Sequence, residues 1–343
     1  MKLNERKTLI LQAIIQDYIQ SAEPVGSRTL SKKYELGVSP ATIRNEMSDL
    51  EELGYLKQPH TSSGRIPSDK GYRLYVDKLM ETQKNAVLHN QQINTDIMRK
   101  FGEVEQLLEY SSKIISQLTN YTSIVLAPQI QENKIKHIQL IPIDSNSILA
   151  VIVTETGVIR NPILRIRERI SPDTLEQISN FINTKVQGKT IKEIEKVLLT
   201  EIQYELRQYS DVIETLVPEL ANVIEAVNDY GLYLSGTTNI FNFPEFNDLF
   251  KAKAFLTMLE ERQLLSSLIT TANDNKLNIS IGSENMHKEA SECSLVTATY
   301  EIEGSVVGWL TVIGPTRMDY SNVVSSMIHL SGHINSLLTK RYK

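Results

Sequence analysis

The chain is 343 residues long, enough for two or three folded domains, and its 41% hydrophobic and 22% charged composition is that of a globular protein with sizeable cores. No stretch reaches the roughly 18 consecutive apolar residues of a membrane span, and a single cysteine, Cys293, excludes an intramolecular disulfide and any cysteine-cluster metal site. The net charge of -5 hides an uneven distribution: residues 1–80 hold 12 Lys+Arg against 10 Asp+Glu and the remainder 24 against 31, which admits a nucleic-acid-binding module joined to an acidic partner domain.

Residues 1–7 carry no apolar core of a signal peptide, so the expected location is the cytoplasm. A first helix is expected over residues 4–21, where Ile10, Ile14 and Tyr18 with Leu11, Ile15 and Ile19 make a broad apolar face at helical spacing. Glu23-Pro24-Val25-Gly26 ends it, and a short second helix over 27–34 would use Ser27 as its N-cap. Leu36-Gly37-Val38 then makes a tight turn, with Gly37 suited to a positive φ. Ser39 caps a third helix and Pro40 fills its first position, where a missing N–H costs nothing. Ile43, Met47 and Leu50 would bury this helix, leaving Thr42, Arg44, Asn45 and Asp49 outside; Gly54 closes it, and residues 56–66 supply two strands and a loop.

Residues 68–121 read as polar helix with a weak, Asn- and Gln-rich interval, and 81–100 is the expected helical linker. Residues 122–127, 135–143, 148–154 and 158–166 are β-branched runs between turn residues. Helical spacing returns over 171–228, with Leu175, Ile178 and Ile182 on one face, and continues within 247–273. Strands follow at 277–281, 294–302 and 306–313, and a last helix covers 319–338. Strands, a helical block, then strands again predict one sheet domain with a helical insertion rather than two sheets.

Three helices with a tight turn between the second and third, then a hairpin, predict a winged helix-turn-helix that lays its third helix in a DNA major groove. Thr42, Arg44 and Asn45 are the candidate base readers, because arginine forks to guanine and asparagine to adenine. Ser27, Arg28, Ser39 and Pro40, at or near helix N-termini, suit phosphates. In the hairpin loop, His60, Thr61, Ser62, Ser63, Gly64 and Arg65 are short or basic groups fit for the backbone or minor groove, and Lys70 and Arg73 add charge beside them. A helix-turn-helix used for docking protein, with Arg44 and Asn45 merely solvated, is the competing reading of this pattern.

Glu23-Pro24-Val25-Gly26-Ser27, Val38-Ser39-Pro40-Ala41-Thr42-Ile43-Arg44-Asn45-Glu46-Met47 and His60-Thr61-Ser62-Ser63-Gly64-Arg65-Ile66-Pro67 closely resemble the HrcA family of heat-inducible transcription repressors. So do Asn239-Ile240, Pro244-Glu245-Phe246, Ile281-Gly282-Ser283-Glu284-Asn285, Cys293-Ser294-Leu295-Val296 and Gly314-Pro315-Thr316-Arg317-Met318-Asp319-Tyr320, so the resemblance spans essentially the whole chain. Ser63 and Ser68 depart mildly from the expected alanine and threonine. The resemblance implies an α+β protein: a winged-helix domain at 1–80, a GAF-like domain in two segments, 101–170 and 229–343, and an inserted helical dimerisation domain at 171–228. It also implies a homodimer on an inverted-repeat operator of double-stranded DNA upstream of chaperone operons, release on heat stress, and the GroEL chaperonin as modulator.

Other features carry less chemistry. His329 and His333 have a metal-ligand spacing on the final helix, but Leu330-Ser331-Gly332 lacks the glutamate of a zinc protease motif. Gly314-Pro315-Thr316-Arg317 suits an anion-binding turn or a plain strand-to-helix connection. Cys293 reads as a small hydrophobe near a strand. No nucleophile with an acid–base pair, phosphate loop or dinucleotide fingerprint stands out, so neither an enzyme nor a cofactor is expected. The rival regulator is a ligand-gated winged-helix protein of metabolic genes, with the GAF-like domain as sensor.

Overall fold

A computed structural model describes residues 3–59, 64–86, 104–126, 134–154, 159–166, 169–187, 189, 231–270, 276–302 and 305–341. The chain divides into two compact units, Met1–Ala127 with Gly231–Lys343, and Pro128–Tyr230.

The first unit opens with three helices, α1 (Glu5–Ser21), α2 (Ser27–Lys33) and α3 (Pro40–Glu52), followed by two short antiparallel strands, β1 (Leu56–Lys57) and β2 (Ile66–Pro67), and by α4 (Asp69–Ala86). Asn4 caps α1 by accepting the Lys7 N–H at 2.8 Å. The expected cap at Ser27 is corrected: Gly26 is the capping residue, without a side-chain bond, and Ser27 is the first helical residue. Gly37 and Gly54 both take positive φ, 66° and 79°, at the turns into and out of α3. The linker expected at 81–100 lies outside the described residues beyond α4, whose last turn reaches Ala86.

Helix α5 (Val104–Thr119) leads into a five-stranded antiparallel sheet of order β8-β3-β11-β10-β9. Its strands are β3 (Thr122–Leu126), β8 (Leu232–Ser235), β9 (Leu277–Ile281), β10 (Cys293–Ile302) and β11 (Ser305–Pro315). Period-two alternation divides its side chains. Val125, Val296, Ala298, Leu310 and Val312 join the cluster containing Ile115 of α5 and Val324, Met327, Leu330 and Ile334 of α9 (Tyr320–Arg341). Ile124, Leu126, Leu295 and Ile313 meet Phe255 and Met258 of α7 (Leu249–Glu260) and Leu265 and Ile269 of α8 (Arg262–Thr270) on the other face. The first cluster continues without a break into Ile10, Ile14, Leu50, Tyr72 and Val76, so the N-terminal helices share a core with the sheet.

The second unit overturns the expectation of a single sheet. Strands β4 (Ile135–Pro142), β5 (Ser147–Thr154), β6 (Ile159–Arg160) and β7 (Ile163–Arg165) form a four-stranded sheet of their own, covered on one face by α6 (Pro172–Val186). The segment set apart from the larger sheet therefore begins with Pro128, not at 171, and it carries strands as well as helix. Ser171 caps α6 through the Thr174 N–H, and Leu175, Ile178 and Ile182 meet Ile138, Leu140, Ile148 and Ile152. Asn183 locks the pair by accepting the Ile138 N–H at 2.7 Å and donating to its carbonyl at 2.8 Å. The helical faces expected from 191 to 228 lie outside the described residues.

Candidate nucleic-acid interface

Helix α3 begins sharply because Ser39, in extended conformation, accepts the Thr42 N–H on its Oγ at 3.2 Å while Pro40 supplies a preset helical φ. Ile43, Met47 and Leu50 turn inward at 0%, 5% and 0% exposure, as their spacing predicts. That orientation places Pro40, Arg44 and Asn45 in solvent, with Thr42 half-buried and its hydroxyl 3.0 Å from that of Ser39. The first turn holds no acidic residue, so the positive end of the helix dipole is not offset by its own side chains. Among the described residues, Arg44 makes no ion pair.

The inner edge of α3 is bolted to α1 by charge. Glu46 is buried and receives Lys7 Nζ at 2.6 Å and Arg6 at 3.5 Å, while Lys7 also reaches Asp49 at 2.7 Å. Hydrogen bonds from Lys7 to Asp49 and Glu46 raise its pKa above the ordinary lysine value. These cations orient the helix and are not part of its outer face.

The remaining candidates divide. Arg28 on α2 is exposed and Ser27 half-buried. Gly64 lies against Pro24 and Val25, and Arg65 exchanges two 2.9 Å backbone bonds with Val25, tying the hairpin to the start of α2. The Arg65 side chain pairs with Glu51 at 2.8 Å and is half-buried. Lys70 donates to the Leu53 carbonyl at 2.8 Å and lies 4.5 Å from the Tyr55 ring centroid, an exposed cation at the C-terminal end of α3. Arg73 is the residue the structure takes away from the candidate surface: its guanidinium is held by both carboxylate oxygens of Glu284 and donates to the Ile279 carbonyl at 2.6 Å. His60, Thr61, Ser62 and Ser63 lie outside the described residues. Lys57 joins the list from the structure; the in–out alternation of Leu56 and Lys57 on β1 was the available signal, and Lys57 is exposed.

Elsewhere, Gly314 and Pro315 end β11, Thr316 and Arg317 lead on towards α9, and Arg317 is ion-paired with Glu245 and donates to the Ile19 carbonyl at 2.9 Å. Cys293 is buried at the start of β10, and desolvation pushes its thiol up to about 12. Among the described residues no group of three His, Cys, Asp or Glu side chains could hold a metal, and no helix is long and apolar enough to cross a membrane.

Residues 105–324 match the family model described as HrcA protein C terminal domain. A protein of Alkaliphilus metalliredigens is 57% identical over 343 residues, covering 100% of both chains, and one of Ruminiclostridium cellulolyticum is 44% identical, covering 99% of both. Each is named heat-inducible transcription repressor HrcA. A crystal structure of a hypothetical protein aligns over 99% of both chains with a TM-score of 0.67 and 24% identity, a likeness of fold. The chain is thus related along its full length to transcription repressors. It belongs to the HrcA family, and its function is negative regulation of heat-inducible genes.

Proposed function

We propose that the protein represses chaperone operons by binding an inverted-repeat operator in double-stranded DNA as a homodimer. In this reading α1–α3 and the β1–β2 hairpin form a winged helix, the five-stranded sheet with its helices is the GAF-like domain, and the unit from Pro128 to Tyr230 is the inserted dimerisation domain. The observation that carries it is the N-terminal half of α3, where Ser39 and Pro40 start the helix and Arg44 and Asn45 stand in solvent one turn on from an acid-free N-terminus. Arg44 and Asn45 then read base edges, Thr42 and Ser39 steady the helix start against phosphate, Arg28, Lys57, Arg65 and Lys70 supply further charge, and His60, Thr61, Ser62 and Ser63 contact the backbone or minor groove.

The dimer reading draws on the second unit. On the β-sheet face opposite α6, register aligns Ile141 with Leu149 and Ile163, and Val153 with Ile159. Ile141, Ile159 and Ile163 are 41%, 59% and 62% exposed, an apolar surface of the kind that a partner subunit covers. Two linked modules make the second half-site contact intramolecular, which raises avidity by about 10²–10⁴. Release on heat stress, modulation by the GroEL chaperonin and a cytoplasmic location follow from the family resemblance.

Gel shifts at rising salt, with a scrambled duplex as control, test the reading. Affinity for the operator is expected to fall with a slope of about -0.9 per phosphate neutralised. Equal binding to operator and scrambled duplex refutes it.

A further inference from the structure

Two loops of the larger sheet hold the N-terminal helices at separate points. The turn Gly282–Glu284 after β9 grips the start of α4: Ser283 donates its N–H and its hydroxyl to Asp69 at 3.0 and 2.8 Å. Gly282 has a φ of 53°, and a Cβ there would meet the Asp69 carboxyl group at 2.6 Å. One turn along, Arg73 reaches Glu284 in a two-point contact and bonds the Ile279 carbonyl, while Glu284 also accepts the Ile281 N–H at 2.9 Å. The second hold is on α1. Arg317, only 8% exposed, pairs with Glu245, lies 5.5 Å from the Phe243 ring centroid and donates to the carbonyl of Ile19 in the last turn of α1. Between the two holds, the Tyr72 and Tyr320 rings meet at 5.9 Å in the shared core.

A helical module pinned at two places and sharing a core with its neighbour cannot swivel as a body without breaking charged, partly buried bonds. Arg–carboxylate pairs of this two-point kind constrain angle as well as distance. The direction in which α3 points is therefore set by the sheet, not by a tether.

Resting on the proposal that two such modules read one operator, we infer that Asp69, Arg73, Glu284 and Arg317 remove the swivel of each reading module on its own five-stranded sheet and so narrow the range of spacer lengths the repressor accepts. None of the four is a DNA contact; they are positioning residues. Each added base pair moves a half-site by about 3.4 Å and turns it by about 35°. A pinned module cannot follow that turn by rotating on its own sheet, whereas a swivelling one can.

The test uses the full chain and an operator recovered by selection from random duplexes, with fluorescence anisotropy on that operator, on versions whose spacer is longer by one, two or five base pairs, and on a single half-site. The native protein is expected to lose at least about tenfold in affinity on a two-base-pair insertion, within the range that loss of the second contact permits. The variant Asp69→Ala with Glu284→Ala is expected to bind the half-site within about twofold of native and to lose less than about threefold on the same insertion. Ser283→Ala, a milder change that keeps Arg73 paired, should fall between them and serves if the double variant does not fold by circular dichroism. Parallel losses in native and variant overturn the inference, as does a native protein indifferent to spacing. A selection that yields no inverted repeat refutes the operator reading itself and takes this inference with it.

Discussion

Gly64→Ala is the most informative single change in the N-terminal module. Gly64 precedes Arg65, whose N–H and carbonyl exchange 2.9 Å bonds with Val25. A methyl group at 64 would collide with the Val25 carbonyl and the Pro24 backbone, and Val25 cannot retreat because its side chain is 2% exposed in the core. The hairpin must therefore lift from the chain before α2. Two backbone hydrogen bonds at about 0.5–1.5 kcal/mol each, with about 1 kcal/mol for partial exposure of Val25, give a local cost of roughly 2–4 kcal/mol. Hydrogen exchange reads this locally: protection of the Val25 and Arg65 amides should fall by about 30- to 1000-fold. Gly37→Ala is the control, since Gly37 has a φ of 66° with nothing within 4 Å of an added Cβ. It should cost about 1–2 kcal/mol through backbone strain alone and leave the Val25 and Arg65 amides protected. If Gly64→Ala leaves both amides within threefold of native, the close approach is not what requires glycine there.

Tyr72 is buried, yet its hydroxyl finds no hydrogen-bond partner among the described residues. Tyr72→Phe should leave stability unchanged or raise it by about 1 kcal/mol in thermal melts, and a loss of similar size would reveal a hidden partner. With its thiol pushed up to about 12 by burial, Cys293 holds roughly one part in ten thousand as thiolate at pH 8, so a thiol reagent should label it only in denaturant. Rapid labelling of native protein would contradict the burial. Ile163→Asp on the sheet face opposite α6 should weaken the proposed dimer at least tenfold by analytical ultracentrifugation, while the melt of dilute protein stays put because Ile163 is 62% exposed. An unchanged dimer would move the interface elsewhere.

What the sequence makes legible is what is local. Ser39-Pro40 announces the start of α3, and the spacing of Ile43, Met47 and Leu50 decides which side of it is buried, so the exposure of Arg44 and Asn45 follows from the sequence. The partition of strands is not local. The runs at 135–142 and 147–154 have the same β-branched character as 293–302 and 305–315, and only pairing across the chain sends them to different sheets. Strand β8 is four residues long and half-buried throughout, with no alternation to mark it. Arg73 is the sharpest case. Basic, beside Lys70 and just past the hairpin, it has every local mark of a phosphate contact, yet its partner is Glu284, 211 residues away.

The same pairing explains how an acidic chain presents a surface to DNA. Among the described residues of the N-terminal module, several cations are matched with acids away from the start of α3: Lys7 with Glu46 and Asp49, Lys33 with Asp17, Arg65 with Glu51, and Arg73 with Glu284, while Arg28, Lys57 and Lys70 stay exposed. Each pair removes one charge of either sign from the outward field, so the total of -5 says little about any one face. Arg44 at the start of α3 is likewise without an ion pair among the described residues. An acid-free helix N-terminus adds its partial positive charge to Arg44. An acid introduced there, as in Thr42→Asp, would be expected to strengthen the helix by offsetting its dipole and to weaken operator binding. A stability gain and a binding loss from one substitution separate the field that serves the fold from the field that serves the duplex.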